Sequence, residues 1–263
     1  MYLCMLYIKE KAVKSPDSYL KLGTLNIEQY RHVERAIPVL CESDLDVICL
    51  QEVPEDIIPR LEQALHASAY FLPLWSMWCE TEQAEKVFGL AVMVRRGRAV
   101  SCDEFFYHTA SADDIPFMQN RMLQYITIEK DDVVYRIGNT HFTWTPDGRP
   151  TPEQYQDMGT LLEVIETQIP ENDLILCGDF NAPRGGPIWE KLSSRYHDSI
   201  PPLVITTLDQ DYHRAAPIFL VVDGMFTSEH YSVRDVDIVP GLSDHMLISG
   251  KVFRVLYEKL STV

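Results

Sequence analysis

Six short polar clusters close apolar runs along the chain. Asn26 follows LKLGTL, Gln51-Glu52 follow DVICL, and His141 follows VVYRIGNT. Gly178-Asp179-Phe180-Asn181 follow DLILC, Asp223-Gly224 follow IFLVV, and Asp244-His245 follow GLS. Glu, Asp, Asn and His are the types needed for one chemistry: holding a hard cation through oxygen, placing a water in line with phosphorus, and moving its proton. A magnesium-like ion uses one or two carboxylates and fills its shell with water and substrate phosphate, so few protein ligands are required. Each cluster alone has a plainer reading. Asn26 reads as a turn, His141 as a half-buried imidazole with a satisfied hydrogen bond, and Asp244 as a cap. The combination and order of clusters from residue 26 to residue 245 carry the chemical reading.

These side chains need rigid strand ends to converge. A strand is predicted at 19–26, and a helix over 28–42, where Tyr30, Val33, Ile37 and Leu40 have helical spacing. DVICL at 46–50 reads as a strand buried on both faces. A helix opens at Pro54, with Ile57, Ile58, Leu61 and Leu65 on one face. Strands follow at 69–75, 87–95, 99–107, 121–129 and 132–142, without helix-length gaps. The next helix spans 151–168: Thr151 is its N-cap, Pro152 its first residue, and Gln154 completes a capping box. A strand at 173–177, a short helix at 187–196, and strands near 203–207, 217–227, 231–238 and 246–256 complete the chain. Two packed sheets flanked by helices fit this order, although periodicity alone does not force them.

The 263 residues contain 23 Lys+Arg against 39 Asp+Glu, a net charge of −16. A non-specific nucleic-acid binder draws its affinity from cations meeting phosphates, and this chain lacks that footprint globally. None of the six cysteines forms a C-x-x-C pair, so no zinc site is expected, and Cys49 and Cys177 read as core thiols. The opening MYLCMLYIKEK is apolar before it is basic, the reverse of a signal peptide, and too short to span a bilayer. A cytoplasmic protein without membrane insertion is expected. Residues 1–18 read as an N-terminal extension and 19–263 as a single domain, with no linker or repeat between. The oligomeric state is left unassigned.

LGTLNI at 22–27, LQEV at 50–53, NTHF at 139–142, LCGDFNAP at 176–183, VVDGMF at 221–226 and GLSDH at 241–245 resemble, in order, the motifs of the endonuclease/exonuclease/phosphatase superfamily. The resemblance runs from about residue 19 to the C-terminus. It implies a four-layer α/β/β/α sandwich: two packed mixed sheets flanked by helices, with the site at one edge. It further implies a Mg²⁺-dependent phosphoester hydrolase, with Mn²⁺ able to substitute, in which a metal-bound, Asp/His-positioned water attacks phosphorus in line. By the same resemblance, Glu52 is the main metal ligand and Asn26 and Asp244 complete or support its shell. Asp179 and Asn181 hold the water and a phosphate oxygen, Asp223 orients His245, and His141 donates to a non-bridging oxygen. Whether Asp179 or His245 accepts the proton is left open. His141 in NTHF looks more like the DNase, phosphatase and sphingomyelinase branches than the AP-endonuclease branch, and NAPRGGPIWEKL at 181–192 looks like bacterial members.

Four further residues are candidates for substrate contact. Arg121 precedes MLQYITI and reaches substrate phosphate or forms an ion pair. His213-Arg214 lie in the loop before VVDG, and Trp144 stands three residues after His141 at the rim. Trp75, Met77 and Trp78 read as core packing or a lid hinge before an aromatic lip. A small phosphoester is expected over duplex DNA, with a nuclease as the alternative. A catalytically silent binding module is the remaining reading, weakened because every matched motif position keeps a competent residue.

Overall fold

The computed structural model describes residues 12–14, 18–108, 120–146 and 148–257. In chain order its strands are β1 (Ala12–Lys14), β2 (Leu20–Asn26), β3 (Val47–Pro54), β4 (Ser68–Cys79), β5 (Ala84–Val94), β6 (Arg98–His108), β7 (Arg121–Lys130) and β8 (Val133–His141). They continue with β9 (Ile175–Asp179), β10 (His197–Asp198), β11 (Asp223–Thr227), β12 (Tyr231–Val239) and β13 (Leu247–Tyr257). The helices are α1 (Val33–Glu42), α2 (Ile58–Leu65), α3 (Pro152–Gln168) and α4 (Pro187–Ser193).

One sheet runs β1-β13-β2-β3-β5-β4, with β12 also paired to β13, and the other runs β10-β11-β9-β8-β7-β6. Each contains one parallel pair, β2 with β3 and β8 with β9. Parallel pairing in register puts Asn26 opposite Gln51 and His141 opposite Asp179. The antiparallel β11 brings Asp223 opposite Asp179. Five of the polar strand ends therefore arrive at one edge of the paired sheets.

The apolar pattern explains the layers. In β3, Val47 and Cys49 join the core between the sheets, whereas Ile48, Leu50 and Val53 face a second core under α1 and α2. A strand covered on both faces is apolar at successive positions, as DVICL is. Met158, Leu161, Leu162 and Ile165 of α3 pack on the outer face of the other sheet. The result is the expected α/β/β/α sandwich, with Cys49 and Cys177 fully buried inside it.

Several elements differ from expectation: Pro54 closes β3 and α2 begins only at Ile58, and β4 runs on to Cys79. The helix predicted from residue 28 begins at Val33, because Glu28 and Gln29 adopt left-handed φ of 47° and 58°. Asn26 Oδ1 accepts the Glu28 amide at 3.0 Å, forming a turn that delays the helix. No strand forms at 203–207: Leu203 and Ile205 are exposed, and the neighbouring Pro201 and Pro202 cannot donate to a ladder. Only Asp223–Thr227 of the predicted 217–227 strand pairs. The stretch before it is tied down through buried Thr207, whose hydroxyl accepts the amides of Val222 and Asp223 at 3.0 and 3.1 Å.

Candidate active site

Glu52 owes its direction to backbone irregularity. The pairing of β3 with β5 shifts between Leu50 and Val53, and Glu52 takes φ 56°. A bulge of this kind turns a side chain out of the ladder, here towards a cavity of about 930 Å³ at the sheet edge. Asp179 is placed by Gly178, whose φ is 142°. A Cβ there would lie 1.9 Å from the Thr140 carbonyl oxygen, so β9 can approach β8 this closely only with glycine. After Asp179 the chain turns: Asp179 Oδ1 accepts the Asn181 amide at 2.8 Å, and Asn181 has φ 48°.

Around this edge the predicted residues come together. Asn26 Nδ2 donates to Glu52 Oε1 at 3.0 Å and to Asp179 Oδ2 at 3.1 Å. His141 Nε2 lies 3.6 Å from Asp179 Oδ2 and 3.8 Å from Glu52 Oε1. His245 Nδ1 lies 2.9 and 3.0 Å from the two oxygens of Asp223, and its Nε2 lies 3.8 Å from Asp179 Oδ2. Asp244, whose Oδ1 accepts from the Ser243 hydroxyl, and Asn181 also line the cavity. Asn181 Nδ2 is held by the Phe142 carbonyl at 3.0 Å.

Burial sets the electrostatics. It pushes Asp179 up to about 7, raised further by Asp223 and opposed by His245. Burial also raises Glu52, against the hydrogen bond from Asn26. His141 is held well below the ordinary imidazole value by burial, then by Arg121 and His245, so it is neutral. His245 goes the other way: burial alone would lower it, but Asp223, Asp179 and Asp244 hold it well above that value.

The donor set suits a hard cation, being rich in carboxylate oxygen. Asp179, Asp223 and His245 present ligand atoms within 4.8 Å of one another, as do Glu28, His32 and Asp244. Glu52 adjoins the first group through Asn26. Asn26 itself has its oxygen on the Glu28 amide and its NH₂ on the two carboxylates, which fixes how Glu52 and Asp179 face each other.

The substrate-contact candidates separate. Arg121 is buried and donates to the His141 carbonyl at 3.2 Å while lining the cavity. His213 packs against His245 with ring centroids 6.3 Å apart. Arg214 is ion-paired with Glu28 across the cavity mouth. Trp144 is 61% exposed at the rim. Trp75 stacks on Phe88 at 5.3 Å and approaches the His141 ring, while Met77 and Trp78 stand exposed.

The endonuclease/exonuclease/phosphatase family model matches residues 23–255. The chain belongs to that family. Phosphoester hydrolysis is the activity class of its members, and the site described above provides the groups for it. Solved structures share the fold. A family protein from Leptotrichia buccalis is 20% identical with a TM-score of 0.66, covering 89% of this chain and 99% of its own. The human Nocturnin catalytic domain with bound sulfate is 20% identical with a TM-score of 0.67, covering 93% and 97%. The mannosyl-6-phosphatase of Bacteroides thetaiotaomicron is 14% identical with a TM-score of 0.65, covering 89% and 99%. No curated protein matches the chain by sequence.

Sequence reasoning missed Glu28, Gln154 and the group His108, Glu153 and Asp157. Gln154 was placed in a capping box, and half of that box forms: Thr151 Oγ1 accepts its amide at 3.2 Å. Its side chain instead donates to the Thr143 and Asn181 carbonyls at 2.6 and 3.3 Å, fastening both loops of the site. The i, i+4 spacing of Glu153 and Asp157 was available as a signal; their partner His108, far off in sequence, was not.

Proposed function

We propose that this chain is a Mg²⁺-dependent phosphatase or phosphodiesterase acting on a small phosphoester. The observation that carries the reading is the convergence of the His245–Asp223 pair, Asp179 and Glu52 on one cavity. Glu52 and Asp244, with Asn26 in support, would hold the ion, which when bound supplies positive charge to the phosphate oxygens. Asp179, with a carboxyl near 7, suits acceptance of the attacking water's proton. His245, kept protonated by Asp223, suits donation to the departing oxygen, and neutral His141 suits donation to a non-bridging oxygen.

The walls support a small substrate. Glu153 lines the cavity and would repel the flanking phosphates of a polynucleotide, while Arg214 on the same lining is already paired with Glu28. The one run of closely spaced arginines, Arg95, Arg96 and Arg98, is engaged elsewhere. Arg95 caps the carbonyls of Leu40, Cys41, Ser43 and Leu65, Arg96 pairs with Asp44 and Asp46, and Arg98 pairs with Glu129. Among the described residues no helix is long and apolar enough to cross a membrane. A cytoplasmic setting belongs to the same reading, supported by the free thiols of Cys41, Cys49, Cys79, Cys102 and Cys177.

The test is turnover of p-nitrophenyl phosphate, bis-p-nitrophenyl phosphate and a broad panel of small phosphoesters with Mg²⁺ or Mn²⁺, beside duplex nicking at physiological salt. Small-ester turnover with higher kcat/KM is expected. A higher kcat/KM on duplex than on every small ester would replace this reading with a nuclease.

A further inference from the structure

A second polar group stands on the wall of the same cavity. His108, at the end of β6, has Nδ1 3.0 Å from Asp157 Oδ1, and the Thr143 hydroxyl donates to Asp157 Oδ2. Asp157 is 2% exposed. Glu153, one turn earlier on α3, has Oε1 3.7 Å from His108 Nε2. On the adjoining loop, the Thr145 hydroxyl is buried with no partner, and the exposed Trp144 presents its ring at the rim. His108, Glu153, Thr143, Trp144 and Thr145 all line the cavity that holds Glu52, Asp179 and His245.

The hydrogen bonds decide what this wall offers. Both Asp157 oxygens are engaged, one of them by His108. The His108 ring lies between two carboxylates, Nδ1 on Asp157 and Nε2 towards Glu153. Carboxylate charge on this wall disfavours a second phosphate, which brings only acceptors and negative charge, whereas a hydroxyl, able to donate or accept, suits both Glu153 and the ring. An exposed indole face beside them suits the C–H face of a ring that carries its hydroxyls at the edge.

We infer that His108 and Glu153, with Trp144 at the rim, form a subsite for the organic part of the substrate, and that this part is a neutral polyol ring, a sugar or cyclitol bearing one phosphate. Adjacent hydroxyls hydrogen-bond to Glu153 and to the His108 ring while the phosphate lies at Glu52, Asp179 and His245. Asp157 and Thr143 are positioning residues, acting through the His108 ring. The inference rests on the hydrolase reading above. In the step it serves, the water oxygen bonds to phosphorus, the phosphorus–oxygen bond to the polyol breaks, and the polyol oxygen takes a proton, releasing polyol and phosphate.

The experiment compares hexose 6-phosphate and inositol monophosphate with n-butyl phosphate, which has an alkoxide leaving group but no hydroxyls. Phosphoethanolamine and bis-p-nitrophenyl phosphate complete the panel. The wild-type chain should prefer at least one polyol ester over butyl phosphate by about tenfold or more in kcat/KM. Glu153→Ala, at a partly exposed helix position, should bring that ratio towards one, chiefly through KM, and His108→Ala should do the same. Turnover of bis-p-nitrophenyl phosphate without a polyol preference, or a preference untouched by both variants, overturns the subsite alone. Preference for phosphoethanolamine also overturns it, as does loss of one bound Mn²⁺ in calorimetry of Glu153→Ala. No turnover of any ester overturns the hydrolase reading, and the subsite with it.

Discussion

Asn26 at the end of β2 donates to Asp179 at the end of β9 across 3.1 Å, and the two residues belong to different sheets. The candidate site is therefore a seam, whose geometry depends on how the sheets are held in register. Beneath it runs a buried amide ladder. Gln51 Nε2 donates to Asn139 Oδ1 at 2.7 Å, Asn139 Nδ2 to Gln124 Oε1 at 3.3 Å, and Gln124 Nε2 to the Tyr70 carbonyl at 2.8 Å. Apolar contacts alone tolerate sliding, whereas directional bonds to buried partners do not. Replacing Gln51 by Leu leaves Asn139 Oδ1 and Thr24 Oγ1 without the Gln51 amide donor, so a loss of about 1–3 kcal/mol is expected in denaturant unfolding. A larger fall in kcat than in KM-limited binding should accompany it, because the reacting groups sit on opposite sides of the seam. Unchanged stability and kcat in Gln51→Leu would show that the ladder does not hold the site.

Activity should require a divalent cation and each of three side chains. Chelation with EDTA should abolish turnover, and Mg²⁺ or Mn²⁺ should restore it. Glu52→Ala, Asp179→Ala and His245→Ala should each lower kcat by roughly 10³-fold or more, since groups acting as one unit are individually near-essential. All three lie at the cavity rather than in the apolar cores, so circular dichroism should remain native. Near-normal rates in two of the three folded variants would refute the assignment.

The same burial that raises Asp179 costs stability at neutral pH. Its carboxyl sits near 7 in the folded chain against an ordinary 3.8, so folding favours the protonated form. Stability tied to this group is fully present below about 3.8 and is lost as pH rises towards 7. The attraction of His245 already limits the rise to about 7. In metal-free protein, Asp179→Asn should therefore melt higher than wild type at pH 8, by an amount on the order of a few kcal/mol or less, with the difference shrinking towards pH 4. Thermal melts across that range check it. A lower Tm for Asp179→Asn at pH 8 would contradict the account.

Much of this was legible because the ends of buried strands are marked twice, by an apolar run and by the polar residue that stops it. DVICL followed by Glu52 and DLILC followed by Asp179 carry both marks, and both residues lie at the cavity. The Thr151 cap was equally visible, since capping is local chemistry. What escaped depends on distance or on backbone strain. The left-handed turn at Glu28 and Gln29 hid the true start of α1, because it is stabilised by Asn26, itself a residue of the site. The exposed Leu203 and Ile205 imitated a strand that has no partner. His108 meets Glu153 and Asp157 only through the pairing of β6 with β7 and the seating of α3, neither of which a spacing rule encodes.

The last prediction separates the roles of Asp179 and His245. Asp223 grips His245 Nδ1 with both oxygens, at 2.9 and 3.0 Å, and supplies the largest of the attractions that keep the ring protonated against burial. If His245 donates the proton, activity is present while the ring is charged and falls as pH rises through its pKa. Asp223→Asn keeps the shape and removes the charge, so the imidazole pKa should drop, by about one unit or more for an adjacent charge. The alkaline limb of the kcat profile should then move to lower pH, with a reduced plateau. If His245 were instead the proton acceptor, activity would require the neutral ring, and the acidic limb would move to lower pH in the same variant. The profile of kcat from pH 5 to 10 for wild type and Asp223→Asn, at saturating Mg²⁺, therefore assigns the roles: an alkaline limb shifted down places the acid on His245 and leaves Asp179 as the base, and an acidic limb shifted down reverses them.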